Sequence, residues 1–328
     1  MKKKLTSILL ATTMFAAMIT GCSSNTSEES TNEDATTEST DTADTKTSVE
    51  TADATNETSV TGDDESSENV ILVVSFGTSY NDSRELTIGG IEEAIAEAYP
   101  EYEVRRAFTS QTIIDKLAER DGIEIDNVEE ALDRAVDDGV KNLVVQPTHL
   151  MDGYEYTDLA DALTEYEDKF ESVSLGAPLL TSDEDIDALI TALVNKMSDY
   201  DDGQTAICFM GHGTEADSNA IYQTLQDRIT ELGYENYYIG TVEATPSVDD
   251  VLEQVQANSN YTKVVLEPLM VVAGDHANND MAGDEDDSWK SIFENAGYEV
   301  ECILEGLGQV EDVQNIYVSH VQDAIDNL

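Results

Sequence analysis

Three residues with side chains that can bind a metal or accept a proton stand in the second half of the sequence. His212, Glu243 and His276 each follow a run of apolar residues typical of a buried strand. Two imidazoles and a carboxylate suit a first-row divalent metal, and a neutral imidazole also accepts protons near neutral pH. Because open α/β sheets bind ligands at the carboxyl ends of their strands, we expect the three side chains to share one sheet edge.

Each histidine also has a structural explanation. His212 lies between Gly211 and Gly213, which leave space around it, yet a single histidine in such a loop can simply be hydrogen-bonded. Glu243 could be a favourable charge at a helix N-terminus. His149, in the first half, either faces the same cleft or packs in its loop, and no function is assigned to His320 in the last predicted helix. The recurrence at equivalent strand ends favours a functional set.

Acidic residues crowd the segment around His276. They are Asp275, Asp280, Asp284, Glu285, Asp286 and Asp287. The spacing lacks the glycine and the closing glutamate of an EF-hand, so a calcium loop of that kind is not predicted. Asp280 could orient the imidazole of His276 as a hydrogen-bond acceptor, or the whole segment could be a solvated loop.

Strands and amphipathic helices that would position these residues alternate from Val70 onward. The predicted strands are 70–76, 103–108, 142–147, 172–177, 205–210, 237–242, 263–269 and 299–304. The segments between them show helical periodicity. Such alternation predicts an α/β fold with parallel sheets and helices on both faces.

The two halves of this region resemble each other. VVSFGT (73–78) opens the first half as CFMGHGT (208–214) opens the second, and VVQPTH (144–149) matches VLEPLM (265–270). Chance likeness between two α/β halves could mimic part of this pattern, but two matches in the same order favour a repeat. We predict two similar Rossmann-like lobes, 70–200 and 201–328, each with a parallel four-stranded sheet, facing each other across a cleft.

The first 69 residues have a different character. Lysines 2–4, an apolar run to residue 20 and the sequence ITGC ending at Cys22 are typical of a lipoprotein signal peptide (1–21) with Cys22 as the lipidated residue. An ordinary secretory signal with a chance cysteine is the alternative. Residues 22–69 are Ser, Thr, Asp, Glu and Asn with few apolar residues, which predicts a disordered acidic tether. The expected location is extracytoplasmic, with a lipid anchor in the membrane.

Composition and missing motifs exclude several functions. The formal net charge is −54, with 70 acidic and 16 basic residues, which argues against nucleic acid as a partner. Neither GxxxxGK[ST] nor GxGxxG follows the first strand, so no nucleotide is expected. Cys208 and Cys302 form no zinc pattern; they either pair in a disulfide or, more in keeping with apolar strands, remain free thiols.

On these residues the chain resembles the anaerobic-type sirohydrochlorin cobaltochelatases, the CbiK family. The likeness covers nearly all of 70–328, and the segments that carry it are VVSFGTSY (73–80), RAFTS (106–110), HLMDGYEY (149–156), FMGHG (209–213), PLMVVAGDHANNDM (268–281) and DSWK (287–290). The resemblance implies a two-lobed class II chelatase fold that inserts Co²⁺ into sirohydrochlorin without ATP. It also implies that His212 and His276 bind metal and catalyse, with Glu243 as their acidic partner.

The expected function is therefore ATP-independent insertion of Co²⁺, with Ni²⁺ or Fe²⁺ as other candidate metals, into sirohydrochlorin or a related tetrapyrrole. The chain could form a homo-oligomer. The first lobe and the glycine loops are expected to help hold the substrate, through Ser75, Gly77, Thr78, His149 and Gly213, with Arg84, Arg105 and Arg106 as nearby cations.

The export signal favours a second reading, because corrin synthesis is a cytoplasmic task. In that reading the chain is a non-catalytic surface lipoprotein that binds metal, haem or another tetrapyrrole for an uptake transporter.

Overall fold

The computed structural model describes residues 67–328, which fold as an α/β protein. The strands are β1 (Asn69–Ser75), β2 (Glu103–Phe108), β3 (Asn142–Pro147), β4 (Ser172–Leu175), β5 (Thr205–Gly211), β6 (Tyr237–Thr241), β7 (Lys263–Pro268) and β8 (Glu299–Cys302). The α-helices are α1 (Asn81–Arg84), α2 (Gly90–Ala98), α3 (Gln111–Asp121), α4 (Val128–Asp137), α5 (Tyr154–Thr164), α6 (Asp183–Met197), α7 (Ala220–Glu231), α8 (Val248–Ala257), α9 (Trp289–Asn295) and α10 (Glu311–Ile325). The predicted signal peptide, Cys22 and nearly all of the predicted tether lie outside the described residues.

The strands form two parallel sheets with the same topology. The first sheet has the order β2-β1-β3-β4 and the second the order β6-β5-β7-β8. All pairings within them are parallel. The prediction of two similar four-stranded lobes is confirmed, and each predicted strand overlaps an observed one. The first strand begins at Asn69, one residue before the predicted start of the first lobe.

Several helices begin where the sequence supplies a capping residue. Asn127, Ser182 and Ser247 each accept a hydrogen bond from the backbone N–H three residues on. The acidic side chain at that position bonds back to the cap backbone, so each pair satisfies donors that helix geometry leaves open. These caps start α4, α6 and α8.

Three large clusters of apolar side chains form the interior. One lies between the first sheet and α4 and α5, and another lies between the second sheet and α8 and α9. The third joins the two lobes, because it contains side chains of β1, β5 and β7 together with α2, α6, α7 and α10. Strand residues alternate between these clusters: Ile71 and Val73 enter the shared core, whereas Val70 and Leu72 face the outer helices. No helix within 67–328 has the length and apolar character of a membrane span.

Two helices pack across the boundary between the lobes. The last helix, α10, follows the second sheet in sequence but packs against α2, α6 and strand β3 of the first lobe. The Tyr317 hydroxyl of α10 donates to the Thr148 carbonyl at 2.8 Å, in the loop after β3. Helix α6 in turn precedes β5 and contacts α7 of the second lobe. A boundary between residues 200 and 201 therefore separates the two sheets, but α6 and α10 pack across it.

Both cysteines of the described residues are free. Cys208 is buried in β5, and burial raises the pKa of its thiol far above the ordinary value. Cys302 lies in β8, where burial raises its pKa to about 11. The two thiols are therefore protonated packing residues at neutral pH, as the alternative without a disulfide predicted.

Candidate metal centre

The structure brings His212, Glu243 and His276 together at the carboxyl edge of the second sheet. One ligand atom from each lies within 4.8 Å of the others. The two imidazole rings stand edge to face, with centroids 4.7 Å apart and an angle of 86° between their planes. His212 and Glu243 are exposed, and His276 is partly exposed. The set is thus open to solvent on one side, as an exchangeable metal site requires.

Two glycines shape the loop that carries His212. Gly213 has φ +84°, and a Cβ there would lie 2.8 Å from the backbone nitrogen of Ala244, so a side chain would be both strained and crowded. A Cβ on Gly211 would lie 2.2 Å from the ring of buried Tyr222. The Tyr222 hydroxyl accepts a hydrogen bond from the Gly213 N–H at 3.3 Å. The glycines therefore let the chain turn tightly over Tyr222 and leave His212 projecting.

Backbone pairing beyond the strands fixes Glu243 beside His212. The Val242 N–H donates to the Gly211 carbonyl at 3.0 Å, and the Glu243 N–H donates to the His212 carbonyl at 2.9 Å. The loop is closed at its other end, where the Pro246 carbonyl accepts from the Thr241 N–H at 2.6 Å. The loops after β5 and β6 are thus paired along their backbones. This pairing places the backbone of Glu243 next to that of His212.

His276 enters the site from the start of a π-helical turn, Ala277–Met281. The Asn278 side chain donates to the Gly274 carbonyl at 2.7 Å and holds the preceding loop against the turn. Four residues after His276, the Asp280 carboxylate lies 2.7 Å from the Nδ1 atom of the imidazole. The prediction that Asp280 contacts His276 is confirmed, and the contact fixes the orientation of the ring.

In both histidines, Nε2 is the ring nitrogen that is left to bind a metal or accept a proton. His212 Nδ1 lies 2.7 Å from the Gly213 carbonyl oxygen, which can only accept, so Nδ1 carries the proton. The Asp280 carboxylate also accepts a hydrogen bond, so Nδ1 of His276 carries the proton as well. In each ring the lone pair is therefore on Nε2, where it can bind a divalent metal or accept a proton. With one carboxylate added, the set leaves several metal positions for other ligands.

The predicted substrate contacts of the first lobe are placed differently. Ser75 is only 1% exposed and its hydroxyl accepts from Thr148, while Thr78 is 3% exposed. Gly77 has φ +95°, and a Cβ there would lie 2.5 Å from the Phe108 ring. These residues shape the loop from within it, and their role in substrate binding stays a prediction. Gly213 likewise shapes its own loop.

The other two histidines lie apart from the triad. The His149 side chain is 9% exposed, and its Nε2 lies 3.1 Å from a Glu155 oxygen without the alignment of a hydrogen bond. Of the two readings, the structure places His149 in a packed loop. His320 on α10 lies 3.0 Å from the Asp185 carboxylate of α6, so it joins two helices of the shared core.

The arginines near the first lobe are already engaged. Arg105 pairs with Glu103 and Asp138, and Arg106 makes two hydrogen bonds to the Glu92 carboxylate. Arg84 is buried and donates to the Asn81 side chain at 2.9 Å. The alternation of β2 directs Arg105 and Arg106 to different partners, and both support the first lobe.

One exposed apolar residue of the first lobe was missed in the sequence. Phe76 follows β1 and is 48% exposed. It precedes Gly77 as His212 precedes Gly213, and both glycines have positive φ. Two residues on, the Thr78 hydroxyl lies 3.4 Å from a Cβ built on Gly274, in the loop that carries His276. The matching of FGT with HGT could have identified Phe76 as the counterpart of His212.

Two parallel four-stranded lobes, with side chains that could hold a metal ion at one sheet edge, match the two-lobed chelatase class. Among solved structures, SirB from Bacillus subtilis with Fe³⁺ matches with a TM-score of 0.57 and 13% identity, over 79% of this chain and 96% of that one. The sirohydrochlorin chelatase SirB from Bacillus subtilis subspecies spizizenii, in complex with cobalt, matches with a TM-score of 0.56 and 14% identity, covering the same shares. These similarities establish the fold.

The sequence comparison defines the family within that class. The profile of the cobalt chelatase (CbiK) family matches residues 69–326, so the chain belongs to this family. A sirohydrochlorin cobaltochelatase of Salmonella typhimurium is 38% identical over 256 residues, which is 78% of this chain and 96% of the relative. Sirohydrochlorin cobaltochelatase CbiKC of Nitratidesulfovibrio vulgaris is 32% identical, over 79% of this chain and 91% of its own length.

Proposed function

We propose that this chain inserts Co²⁺ into sirohydrochlorin or a closely related tetrapyrrole without consuming a nucleotide. The family and the names of its relatives support the reaction. The single observation that carries the proposal in the structure is the triad of His212, Glu243 and His276, whose ligand atoms lie within 4.8 Å of one another. Ni²⁺ and Fe²⁺ are alternative metals for the same ligand set.

The triad suits a metal that must be released. Two imidazoles and one carboxylate hold a divalent ion through fewer contacts than a closed four-cysteine site, and the exposed side leaves room for the nitrogens of the macrocycle. As the macrocycle nitrogens bind the metal, the protein ligands leave one by one. The products are the metallated macrocycle and two protons from its pyrrole N–H groups.

Those protons need acceptors close to the metal. Nε2 of either histidine becomes available as the ion departs, and a neutral imidazole accepts a proton at physiological pH. His276 differs from His212 in that its Nδ1–H donates to a carboxylate, at 2.7 Å. Asp280 compensates the positive charge of a protonated His276, so His276 is the proposed proton acceptor, whereas His212 acts as a metal ligand until the ion is transferred.

The first lobe supplies a different surface to the same cleft. Phe76 presents an aromatic ring that is 48% exposed, and the segment that follows it contacts the loop of His276, where the Ala273 N–H donates to the Ser83 hydroxyl at 3.0 Å. An aromatic side chain offers a flat apolar face to a conjugated macrocycle. We assign Phe76 to the contact with the ring, opposite the triad that holds the metal.

The test is cobalt insertion by the purified chain, followed by the change in absorbance of sirohydrochlorin under anaerobic conditions. We expect insertion well above the spontaneous rate and without ATP. Glu243→Gln removes the carboxylate of the triad and is expected to abolish the catalysed rate. Glu215→Gln, on the exposed loop three residues after His212, is the matched control. Insertion no faster than in buffer would reject the proposed function.

We also propose that the chain is exported and anchored through Cys22, with residues 22–69 as the tether of the two lobes. The basic start, the apolar run and the cysteine support this proposal. Fractionation of cells tests it: the native chain is expected with the membranes and Cys22→Ser in the soluble fraction. Equal distribution of the two would contradict an anchor at Cys22.

A further inference from the structure

A cavity of about 610 Å³ lies beside the metal centre and bridges the lobes. Its walls come from the segment after β1, from α3 and from the loop after β7, and they include Tyr80, Lys116, Arg120, Ala273 and Asn278. Ala273 and Asn278 flank His276 in the sequence. The cavity is thus a neighbour of the metal ligand set and shares a loop with it.

Contacts between the lobes hold this cavity in place. The Ala273 N–H donates to the Ser83 hydroxyl at 3.0 Å, and the Tyr80 hydroxyl lies 3.4 Å from the Asp275 carboxylate. On the first lobe, Arg120 donates to the Ser79 carbonyl at 2.6 Å and to the Asn81 side chain at 2.7 Å. Arg120 thereby fixes the segment after β1, while its other contacts go to Asp121.

The distribution of charge in the cavity is unusual for this protein. The chain carries a formal net charge of −54, and most lysines and arginines of the described residues lie in ion pairs. Lys116 is exposed on the cavity wall, and no acidic side chain within 67–328 forms an ion pair with it. An ammonium group on an acidic protein, in a cavity and without an acidic partner, is suited to bind an anion.

We propose that this cavity is a subsite for the carboxylate side chains of the macrocycle, with Lys116 as its principal cation. The proposal rests on the proposed function, since it takes the ligand to be a tetrapyrrole held at the metal centre. Sirohydrochlorin carries carboxylates around its rim, and a macrocycle centred on the triad extends sideways into the neighbouring cavity. Asp82, also on the wall, opposes an anion and sets a limit on the affinity.

Because Lys116 and Asp82 carry opposite charges, removing each charge should change the affinity for an anionic ligand in opposite directions. Binding to the full chain is measured by fluorescence titration with uroporphyrin, which has many carboxylates, and with protoporphyrin, which has few. Lys116→Gln is expected to weaken uroporphyrin binding about three- to tenfold, and Asp82→Asn to strengthen it. Both effects should shrink at high salt and be smaller for protoporphyrin, whereas Lys116→Arg should keep the native affinity.

Lys169→Gln is the matched control, because Lys169 is exposed and also lacks an acidic partner within 67–328 but does not line the cavity. Co²⁺ affinity should be the same in all these variants. Equal uroporphyrin affinities of Lys116→Gln and Lys169→Gln would overturn the subsite, whatever the chain catalyses. If the native chain inserts no cobalt but Lys116→Gln still selectively weakens uroporphyrin binding, the proposed function fails and the subsite stands.

Discussion

The two lobes share a strand order and a positive φ at the glycine of their first loop, yet within residues 67–328 only the second lobe brings two histidines and a carboxylate together. After β1 the loop reads Phe76, Gly77 and Thr78, and after β5 it reads His212, Gly213 and Thr214. Gly77 and Gly213 have φ values of +95° and +84°, so the residue before each glycine is presented in a similar way. The first lobe thus offers an apolar ring where the second offers an imidazole.

A second matched position shows the same contrast in the interior. Gln146 and Glu267 each precede the proline that ends the third strand of a lobe, and both are fully buried. Gln146 donates to two backbone carbonyls, whereas Glu267 accepts from Lys196 of α6. The backbone topology therefore constrains the position of a side chain, and the side chain type decides whether the position is neutral or ionisable.

Removal of the imidazoles is the largest change that this comparison predicts. His212→Ala and His276→Ala are each expected to lower the rate of cobalt insertion roughly 100- to 10,000-fold, because a metal ligand and proton acceptor is lost. Adding Phe76→His to the His212→Ala chain should not restore the rate, since the first lobe has no counterpart of Glu243 and His276 at that edge. Initial rates at saturating sirohydrochlorin check both statements, and a rescue by Phe76→His would show that the lobes are interchangeable.

The partner of His276 is expected to have the next largest effect. Asp280→Asn keeps the shape of the side chain but removes the charge that orients and supports the imidazole, so Co²⁺ affinity should fall about 10- to 100-fold. Isothermal titration with Co²⁺ measures the loss. Asp284→Asn is the control, because Asp284 lies on the same segment but pairs with Lys290. Equal affinities of these two variants would remove Asp280 from the site.

The aromatic residue of the first lobe should affect the macrocycle rather than the metal. Phe76→Ala is expected to weaken sirohydrochlorin binding about 2- to 10-fold, while Phe76→Tyr retains the ring and the affinity. Fluorescence titration gives the macrocycle affinity, and Co²⁺ affinity should not change. Leu86→Ala controls for the loss of an exposed apolar side chain, since Leu86 is 56% exposed. A loss of Co²⁺ affinity in Phe76→Ala would contradict the division between the lobes.

The buried carboxylate should have the smallest effect on turnover. Burial, with a smaller contribution from the charge of Glu305, raises the pKa of Glu267 from 4.5 to about 7, although the neighbouring Lys196 opposes the rise. The folded state therefore holds a proton that the unfolded state releases between these values, and stability falls as the pH rises from about 4.5 to about 7. Glu267→Gln, which copies the first lobe, should remove this part of the pH dependence without altering cobalt insertion.

Thermal unfolding of the native chain and Glu267→Gln across this pH range measures the difference. Gln146→Ala is the control, because Gln146 does not titrate. A change in the pH dependence of stability that both variants show would therefore come from altered packing. Parallel pH profiles of the native chain and Glu267→Gln would exclude Glu267 as the titrating group.

The fold was predictable because its strands are apolar runs and its helices are amphipathic. The predicted positions of His212, Glu243 and His276 at one edge followed from the parallel order, since all strands of such a sheet end on the same side. The contact between Asp280 and His276 was predictable for a local reason, because residues four apart meet on a helical turn.

Other features depend on tertiary packing that no local pattern specifies. The apolar face of α10 predicts burial, but the periodicity does not tell which lobe covers it, and the observed partner is the first lobe. In the loop after β1, hydroxyl groups suggested a surface for the substrate. The structure buries Ser75 and Thr78 and exposes Phe76, which directly precedes the turn at Gly77.

The crossing of α10 to the first lobe places both ends of the described chain in that lobe. Strand β1 begins at Asn69 and helix α10 ends at Ile325, and both belong to the first lobe. The first lobe therefore buries side chains of the last helix, although that helix follows the second sheet in sequence. A chain cut after β8 would keep every strand of both sheets but would lose this part of the shared core.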